Sequence, residues 1–328
     1  MKLSLLFAAI SVGALAVNNA SPIRAYAYAD SGVPNFAYVA FGDSLTTGSS
    51  IATCIEDRNV SPWGCKEVPT AAIPYPERLA VDLGLTYSNN PNDYRKQALA
   101  NQPPRAYRAG IWGYALKEAV QAHQNGKNSN GDWLPQIDAI SHATELVTGS
   151  LGINDLQFSN VQKWAKLYLS KDDKITPEAR RIIKDRSADF DLLFSSLKDA
   201  KSRGANVVVT LYYNPYDTDD TFCQDLKVIG NRLVNTLDAE LKRRSERANL
   251  NTADFRKMFR GHGSGSEDPY VFGKECRLSS AVVAWLPKWL GGGGGVKALA
   301  QDFDPHPNDA GTFVMNRVIK EHLNVSAD

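Results

Sequence analysis

A serine with the setting of a nucleophile lies near the start of the chain. Residues 36–40 form an apolar run, and residues 41–45 read Phe-Gly-Asp-Ser-Leu. This pattern predicts a buried strand that stops abruptly and presents the Ser44 hydroxyl at its carboxyl end. Ligands of open α/β sheets bind outside the carboxyl ends of the strands. Ser44 is therefore a candidate nucleophile, and it needs a base with an orienting partner to become reactive.

His306 is the best candidate for that base among the five histidines. It lies in a turn at 302–308, Asp-Phe-Asp-Pro-His-Pro-Asn, directly before the last predicted helix. The prolines on either side restrict the backbone that carries the imidazole. Asp302 and Asp304 lie within four residues, and either carboxylate or a backbone carbonyl could orient the ring.

A side-chain amide is expected at the same edge of the sheet. Residues 145–148 predict a strand, and Gly-Ile-Asn-Asp follows at 152–155. Because the carboxyl ends of parallel strands share one edge, Asn154 can donate a hydrogen bond to a developing oxyanion near Ser44. Asp43 and Asp155 are expected to support their turns rather than to take part in the chemistry.

These blocks, in this order, resemble the signature of the GDSL or SGNH family of serine esterases and lipases. The resemblance spans residues 36–320, but its specific content is a few short blocks. It implies that Ser44 is the nucleophile and His306 the base. It also implies an oxyanion hole made of the Ser44 N–H, the Asn154 amide and a glycine N–H after the second strand. Gly110 is the best match for that glycine, and Gly113 is a rival.

The chain departs from the family pattern at the acid. The family usually has Asp-x-x-His, whereas Phe303 stands three residues before His306. Asp304 is favoured because the segment looks like the family sequence with one residue deleted, and Asp302 stays an alternative.

The Gly-x-Ser-x-Gly elbow of α/β-hydrolases is absent, since Thr46 occupies the second glycine position. No metal-binding or nucleotide-binding motif is found, so we expect no cofactor and no metal.

Predicted strands and predicted helices alternate along the chain, and these elements position the candidate residues. Together with the resemblance, this predicts an α/β fold, a three-layer α/β/α sandwich with a mainly parallel, flavodoxin-like sheet, as in SGNH hydrolases. We expect a single domain over residues 30–328. Further strands are predicted over 85–88 and 207–212, and helices over 76–83, 111–123, 187–202, 224–244 and 311–323.

The N-terminal segment predicts export. Lys2 precedes an apolar run over residues 3–17, and small-residue cleavage patterns follow between positions 16 and 29. This is the pattern of a secretory signal peptide over residues 1–20, and the run is shorter than the roughly 20 residues needed to span a bilayer. The chain has four cysteines, an even number that suits an oxidising compartment. By proximity in sequence we expect Cys54–Cys65 and Cys223–Cys276, although other connectivities are open.

The composition is that of an ordinary globular chain of 328 residues with a net charge of +1. Neither the charge nor its distribution indicates a nucleic-acid partner. We expect a secreted, monomeric serine hydrolase without stable membrane insertion, acting on small-molecule, lipid or acylated-carbohydrate esters. One alternative is acyl transfer to another alcohol at the same site. The other is a binding protein on a disabled hydrolase scaffold, which the altered acid–His spacing suggests.

Overall fold

A computed structural model describes the greater part of the chain. The described residues are 36–48, 72–88, 105–110, 113–117, 119, 136–158, 160–170, 174–274, 276 and 304–323. The predicted signal peptide, the Cys54–Cys65 pair, Asp302 and most of the helix predicted over 111–123 lie outside these residues.

The centre of the described fold is a parallel sheet of six strands. The strands are β1 (Tyr38–Gly42), β2 (Thr86–Ser88), β3 (Arg105–Arg108), β4 (Leu146–Ser150), β5 (Asn206–Leu211) and β6 (Asn251–Asp254). Their order is β2-β3-β1-β4-β5-β6, and each adjacent pair is parallel. Without the edge strand β2, this is the doubly wound order of flavodoxin-like folds.

The neighbouring strands β1 and β4 are buried along their whole length. Continuous burial is expected for parallel strands that are covered on both faces, and it explains their apolar sequences. Gly42, at the end of β1, is in register with Ser150, at the end of β4. The chain segments that follow these two strands, with Ser44 and Asn154, therefore leave the sheet at the same edge, as predicted.

Helices cover both faces of the sheet. The helices are α1 (Ser44–Thr47), α2 (Tyr75–Asp82), α3 (Val161–Tyr168), α4 (Ile175–Asp185), α5 (Ser187–Ser202), α6 (Gln224–Arg247), α7 (Arg256–Phe259) and α8 (Asp309–Glu321). One apolar core lies against helices α3 to α6, and a second lies against α2, α7 and α8. The three-layer α/β/α sandwich is thereby confirmed.

Several elements were not predicted from the sequence. Strands β3 and β6 and helices α1, α3, α4 and α7 are present in the structure but have no counterpart in the sequence-based expectations. The other predicted elements that fall within the described residues are found, with ends displaced by at most three residues. The missed strands are short and polar, and they exist because a neighbouring strand provides their hydrogen bonds.

The predicted disulfide between Cys223 and Cys276 is present, with a Cα–Cα distance of 4.9 Å. It joins the start of α6 to the chain that follows α7. Within the ranges given above, no helix combines the length and the apolar character needed to cross a membrane.

Candidate active site

The turn from β1 into α1 carries Ser44 and depends on a glycine. Gly42 has a φ of +144°, and a Cβ there would lie 2.1 Å from the Thr46 Oγ1 atom. Asp43 caps the short helix, since its Oδ1 atom accepts the Leu45 N–H at 3.0 Å. A side chain at position 42 would clash with α1, so the Gly-Asp-Ser sequence is what allows the strand to turn this sharply.

The turn that carries His306 is held by backbone hydrogen bonds to the segment 270–273. The Gly273 N–H donates to the Asp304 carbonyl at 2.8 Å, and the Phe272 N–H donates to the His306 carbonyl at 3.0 Å. Asn308 then caps α8 with its side chain. The imidazole is therefore carried by a segment that is fixed on both sides.

The structure brings the three predicted catalytic side chains together. Ser44 Oγ lies 2.9 Å from His306 Nε2, and His306 Nδ1 lies 2.5 Å from Asp304 Oδ1. Asp304 is 1% exposed, whereas Ser44 and His306 are 7% and 8% exposed. In this chain of hydrogen bonds the imidazole can accept the serine proton while the carboxylate fixes the ring and stabilises the imidazolium.

A local turn accounts for the unusual spacing of the acid and the histidine. Asp304 Oδ1 also accepts the backbone N–H of His306, at 3.1 Å. This is an Asx turn, in which an aspartate side chain bonds the backbone two residues later. Pro305 lies at its centre, with a fixed φ. The turn brings the carboxylate to the imidazole across two residues, so the spacing that departs from the family pattern still allows contact.

Two of the three predicted oxyanion donors keep an N–H that forms no hydrogen bond with the described residues. The Ser44 N–H is at the first position of α1, where no intrahelical acceptor exists, and it has no partner among the described residues. The Asn154 side-chain amide donates one hydrogen to the Tyr114 carbonyl at 3.0 Å. An amide nitrogen carries two hydrogens, so the second remains for a ligand.

The third predicted donor, Gly110, needs a correction. Its Cα lies beside α1, because an added Cβ would be 2.8 Å from the Thr46 Cβ atom. However, its N–H donates to the Ala40 carbonyl at 3.1 Å. A backbone N–H that continues the sheet ladder is not directed at an oxyanion beside Ser44. Gly113, the rival named from the sequence, has a φ of +72°, and a Cβ added there would meet none of the described residues within 4 Å.

Asp155 supports the loop, as expected. Its Oδ2 atom accepts the Leu116 N–H at 2.7 Å, and its Oδ1 atom lies 3.1 Å from Arg186 Nε. Together with the bond from Asn154 to Tyr114, this fixes the segment 114–116 against the loop that follows β4.

A buried tyrosine that the sequence did not reveal contacts the serine turn. The Tyr212 hydroxyl donates to Asp43 Oδ2 at 2.7 Å. Burial raises the pKa of Asp43 to about 6, although hydrogen bonds from Tyr212 and the Leu45 backbone and the nearby His306 oppose this shift. The sequence predicts Tyr212 only as the last residue of a strand. The signal available in the sequence was a polar phenol at the carboxyl end of a buried strand.

Two further features lie apart from these residues. Asp220, Cys223 and Cys276 form a group with metal-ligand spacing, but the cysteines are joined in a disulfide and offer no thiolate. A groove of about 630 Å³ lies between α4 and α6, and none of its lining residues belongs to the predicted site.

Comparison with known proteins identifies the class of fold. The extracellular lipase from Streptomyces rimosus is similar, with a TM-score of 0.52 and 17% identity over 87% of this chain and 98% of the lipase. Phospholipase A1 from Streptomyces albidoflavus NA297 is similar, with a TM-score of 0.50 and 19% identity over 87% of this chain and 98% of that one. The chain therefore has the same fold as these two bacterial enzymes. No protein-family model and no curated protein matches the sequence.

Proposed function

We propose that this protein is a secreted serine hydrolase that cleaves carboxylic esters through an acyl-Ser44 intermediate. The observation that carries the proposal is the continuous chain of hydrogen bonds from Ser44 Oγ through His306 to Asp304. A buried serine that only supported a turn would not need a histidine at 2.9 Å whose other nitrogen faces a carboxylate.

Each residue then has one role in the reaction. Ser44 Oγ attacks the acyl carbon while His306 Nε2 accepts its proton, and Asp304 stabilises the imidazolium. His306 then protonates the leaving alcohol, and an acyl-enzyme remains. Water attacks the acyl carbon and gives a proton to His306 Nε2. His306 then returns this proton to Ser44 Oγ as the bond to the acyl carbon breaks and the carboxylic acid leaves.

Charge on the carbonyl oxygen needs hydrogen-bond donors at the tetrahedral stage. The Ser44 N–H and the Asn154 amide are the proposed donors, and Gly113 replaces Gly110 as the proposed glycine donor. Loss of one such donor typically costs about 10²–10³ in turnover. The change Asn154→Ala should therefore reduce turnover by that factor while Ser44 stays in contact with His306.

The proposed substrates are lipid, small acyl or acylated-carbohydrate esters. Two proteins of the same fold are a lipase and a phospholipase A1. Secretion is supported by the Cys223–Cys276 disulfide, which persists in oxidising compartments, together with the signal-peptide pattern. Lipids and carbohydrates are to be distinguished by activity on p-nitrophenyl esters of increasing chain length and on acetylated oligosaccharides.

The test is covalent labelling with a fluorophosphonate, which reacts with activated serines. We expect the labelled peptide to contain Ser44, and Ser44→Ala to abolish labelling. A folded protein that is not labelled would refute the proposal and favour the binding-protein alternative. Acyl transfer rather than hydrolysis would appear as a new ester when an acceptor alcohol is added.

A further inference from the structure

Two consecutive tyrosines follow β5, and their side chains enter opposite cores. Tyr212 belongs to the apolar core on the side of α3 to α6, and Tyr213 to the core on the side of α2, α7 and α8. This opposition follows from the alternation of side chains along an extended chain. They are 2% and 4% exposed, so both hydroxyl groups need partners inside the protein.

The Tyr212 hydroxyl contacts the serine turn. It donates to one carboxylate oxygen of Asp43 at 2.7 Å, and the other oxygen accepts the Leu45 N–H at the start of α1. Tyr212 therefore orients the carboxylate that fixes the helix carrying Ser44. Burial holds the pKa of Tyr212 well above 10, so the phenol remains a donor at neutral pH.

The Tyr213 hydroxyl contacts the histidine turn. It donates to the Pro305 carbonyl at 2.8 Å, at the centre of the Asx turn between Asp304 and His306. Its ring is stacked on Phe259, with the centroids 3.9 Å apart. Burial also raises the pKa of Tyr213 well above 10, so this hydroxyl is protonated as well.

The backbone of this dipeptide is itself anchored. The Tyr212 N–H donates to Asp238 Oδ1 of α6 at 3.0 Å, and Asp238 is 1% exposed. Leu211, the preceding residue, is paired with Asp254 in the sheet. The two hydroxyls therefore extend from a point that is held by the sheet and by α6.

We propose that Tyr212 and Tyr213 are paired positioning residues that set the distance between Ser44 Oγ and His306 Nε2. That contact joins residues 262 positions apart, and no local turn fixes it. The dipeptide bonds the turn on each side of the contact. The inference rests on the proposed function, because it concerns the same pair of reacting groups, and it adds two residues that touch neither the substrate nor the reacting atoms.

The two hydroxyls have different effects on pH dependence. Among the residues that the structure describes, the titratable groups that face Asp43 are Tyr75, Tyr212, Tyr213 and His306. Since the Tyr212 hydrogen bond lowers the pKa of Asp43, its removal raises that pKa further. The carboxylate is then protonated, and its orientation lost, at a higher pH. Tyr212→Phe should shift the acidic limb of the reaction rate upward in pH, whereas Tyr213→Phe should leave that limb in place.

The test compares fluorophosphonate labelling rates of Tyr212→Phe, Tyr213→Phe and the parent protein across a pH series. We expect each variant to react about tenfold more slowly at neutral pH, the cost of one buried hydrogen bond. The matched control is Tyr87→Phe, since the Tyr87 hydroxyl is buried without a hydrogen-bond partner among the described residues. The control should react at the parent rate. The proposal would be overturned if both variants reacted at the parent rate with unshifted pH–rate profiles. It would also be overturned if Tyr87→Phe lost as much of the labelling rate as the two variants do.

A second measurement separates this proposal from the proposed function. NMR of isotope-labelled histidine reports the His306 imidazole whether or not Ser44 reacts. If the parent protein is not labelled, the proposed function fails. A His306 signal that changes in Tyr213→Phe but not in Tyr87→Phe would still support positioning, and an unchanged signal would overturn it.

Should Tyr212→Phe not fold, Asp43→Asn removes the same charged contact and should reproduce the slower labelling. A normal rate in Asp43→Asn would count against the proposal.

Discussion

The carboxylate of Asp304 offers the most quantitative test of the proposed mechanism. Replacing it by Asn keeps the size and the Asx-turn acceptor but removes the charge that faces the imidazolium. His306 Nδ1 and Asp304 Oδ1 are 2.5 Å apart, and Asp304 is almost fully buried. For charge centres about 4 Å apart and an effective dielectric constant of about 20, the lost attraction is about 4 kcal/mol. This corresponds to roughly a 10³-fold loss in rate.

The assay is the second-order rate constant for fluorophosphonate labelling, together with turnover of a p-nitrophenyl ester. The matched control is Asp309→Asn, which removes a carboxylate five residues further along the chain. Asp309 pairs with Arg78 at an exposed position, its side chain 66% accessible, so its loss should leave the rate within about twofold. If Asp304→Asn reacted at the parent rate, the charge argument would be refuted. Asp302→Asn in the same assay would then reveal whether the other acid acts instead.

Three further predictions concern stability. Burial raises the pKa of Asp238 to about 7, so the folded state binds protons more tightly than the unfolded state, and the free energy of unfolding should fall as pH rises from about 4 to about 7. Asp238→Asn should flatten this dependence in urea titrations at several pH values. Replacing Cys223 and Cys276 by alanine should lower the free energy of unfolding by about 4 kcal/mol, because the bridge closes a loop with a separation of 53 residues. Gly149→Ala should cost about 3 kcal/mol or more in thermal or urea unfolding, since its Cβ would lie 1.9 Å from the Phe41 carbonyl oxygen.

Each of these has a clear contrary result. An Asp238→Asn protein whose stability depends on pH as the parent's does would contradict the raised pKa of Asp238. Unchanged denaturation after loss of both cysteines would mean that the bridge does not restrict the unfolded chain. If Gly149→Ala had the same midpoint of thermal or urea unfolding as the parent protein, β1 and β4 would be able to separate without destabilising the fold.

The proposed catalytic residues could be predicted from the sequence because their patterns are local. Ser44 follows an apolar strand, and His306 lies between prolines beside two acids, so each could be recognised within a few residues. The Asx turn supports Asp304 as the proposed acid, because its side chain needs only a two-residue reach. Sequence spacing alone did not reveal that turn, because it requires a particular side-chain orientation.

What the sequence did not reveal depends on contacts between distant segments. The strand β3 begins and ends with arginine, which does not favour a central strand, yet Arg108 donates to the Thr47 carbonyl at the end of α1 at 2.7 Å. The Gly110 N–H donates to the Ala40 carbonyl because the segment that contains β3 pairs with β1. Tyr212 and Tyr213 likewise reach partners more than ninety residues away. Such pairings become visible only once the chain is folded.

The three proposed catalytic side chains differ in how much of the protein holds them together. Asp304 and His306 belong to one tripeptide, so their contact survives as long as that short turn does. Ser44 and His306 meet only when β1 and α8 are both docked on the sheet. As denaturant is added, the serine should lose its reactivity as soon as either element detaches, while the acid and the base remain associated. The rate at which Ser44 is labelled therefore reports whether β1 and α8 are both docked on the sheet. This rate should decline before the contact between Asp304 and His306 is lost.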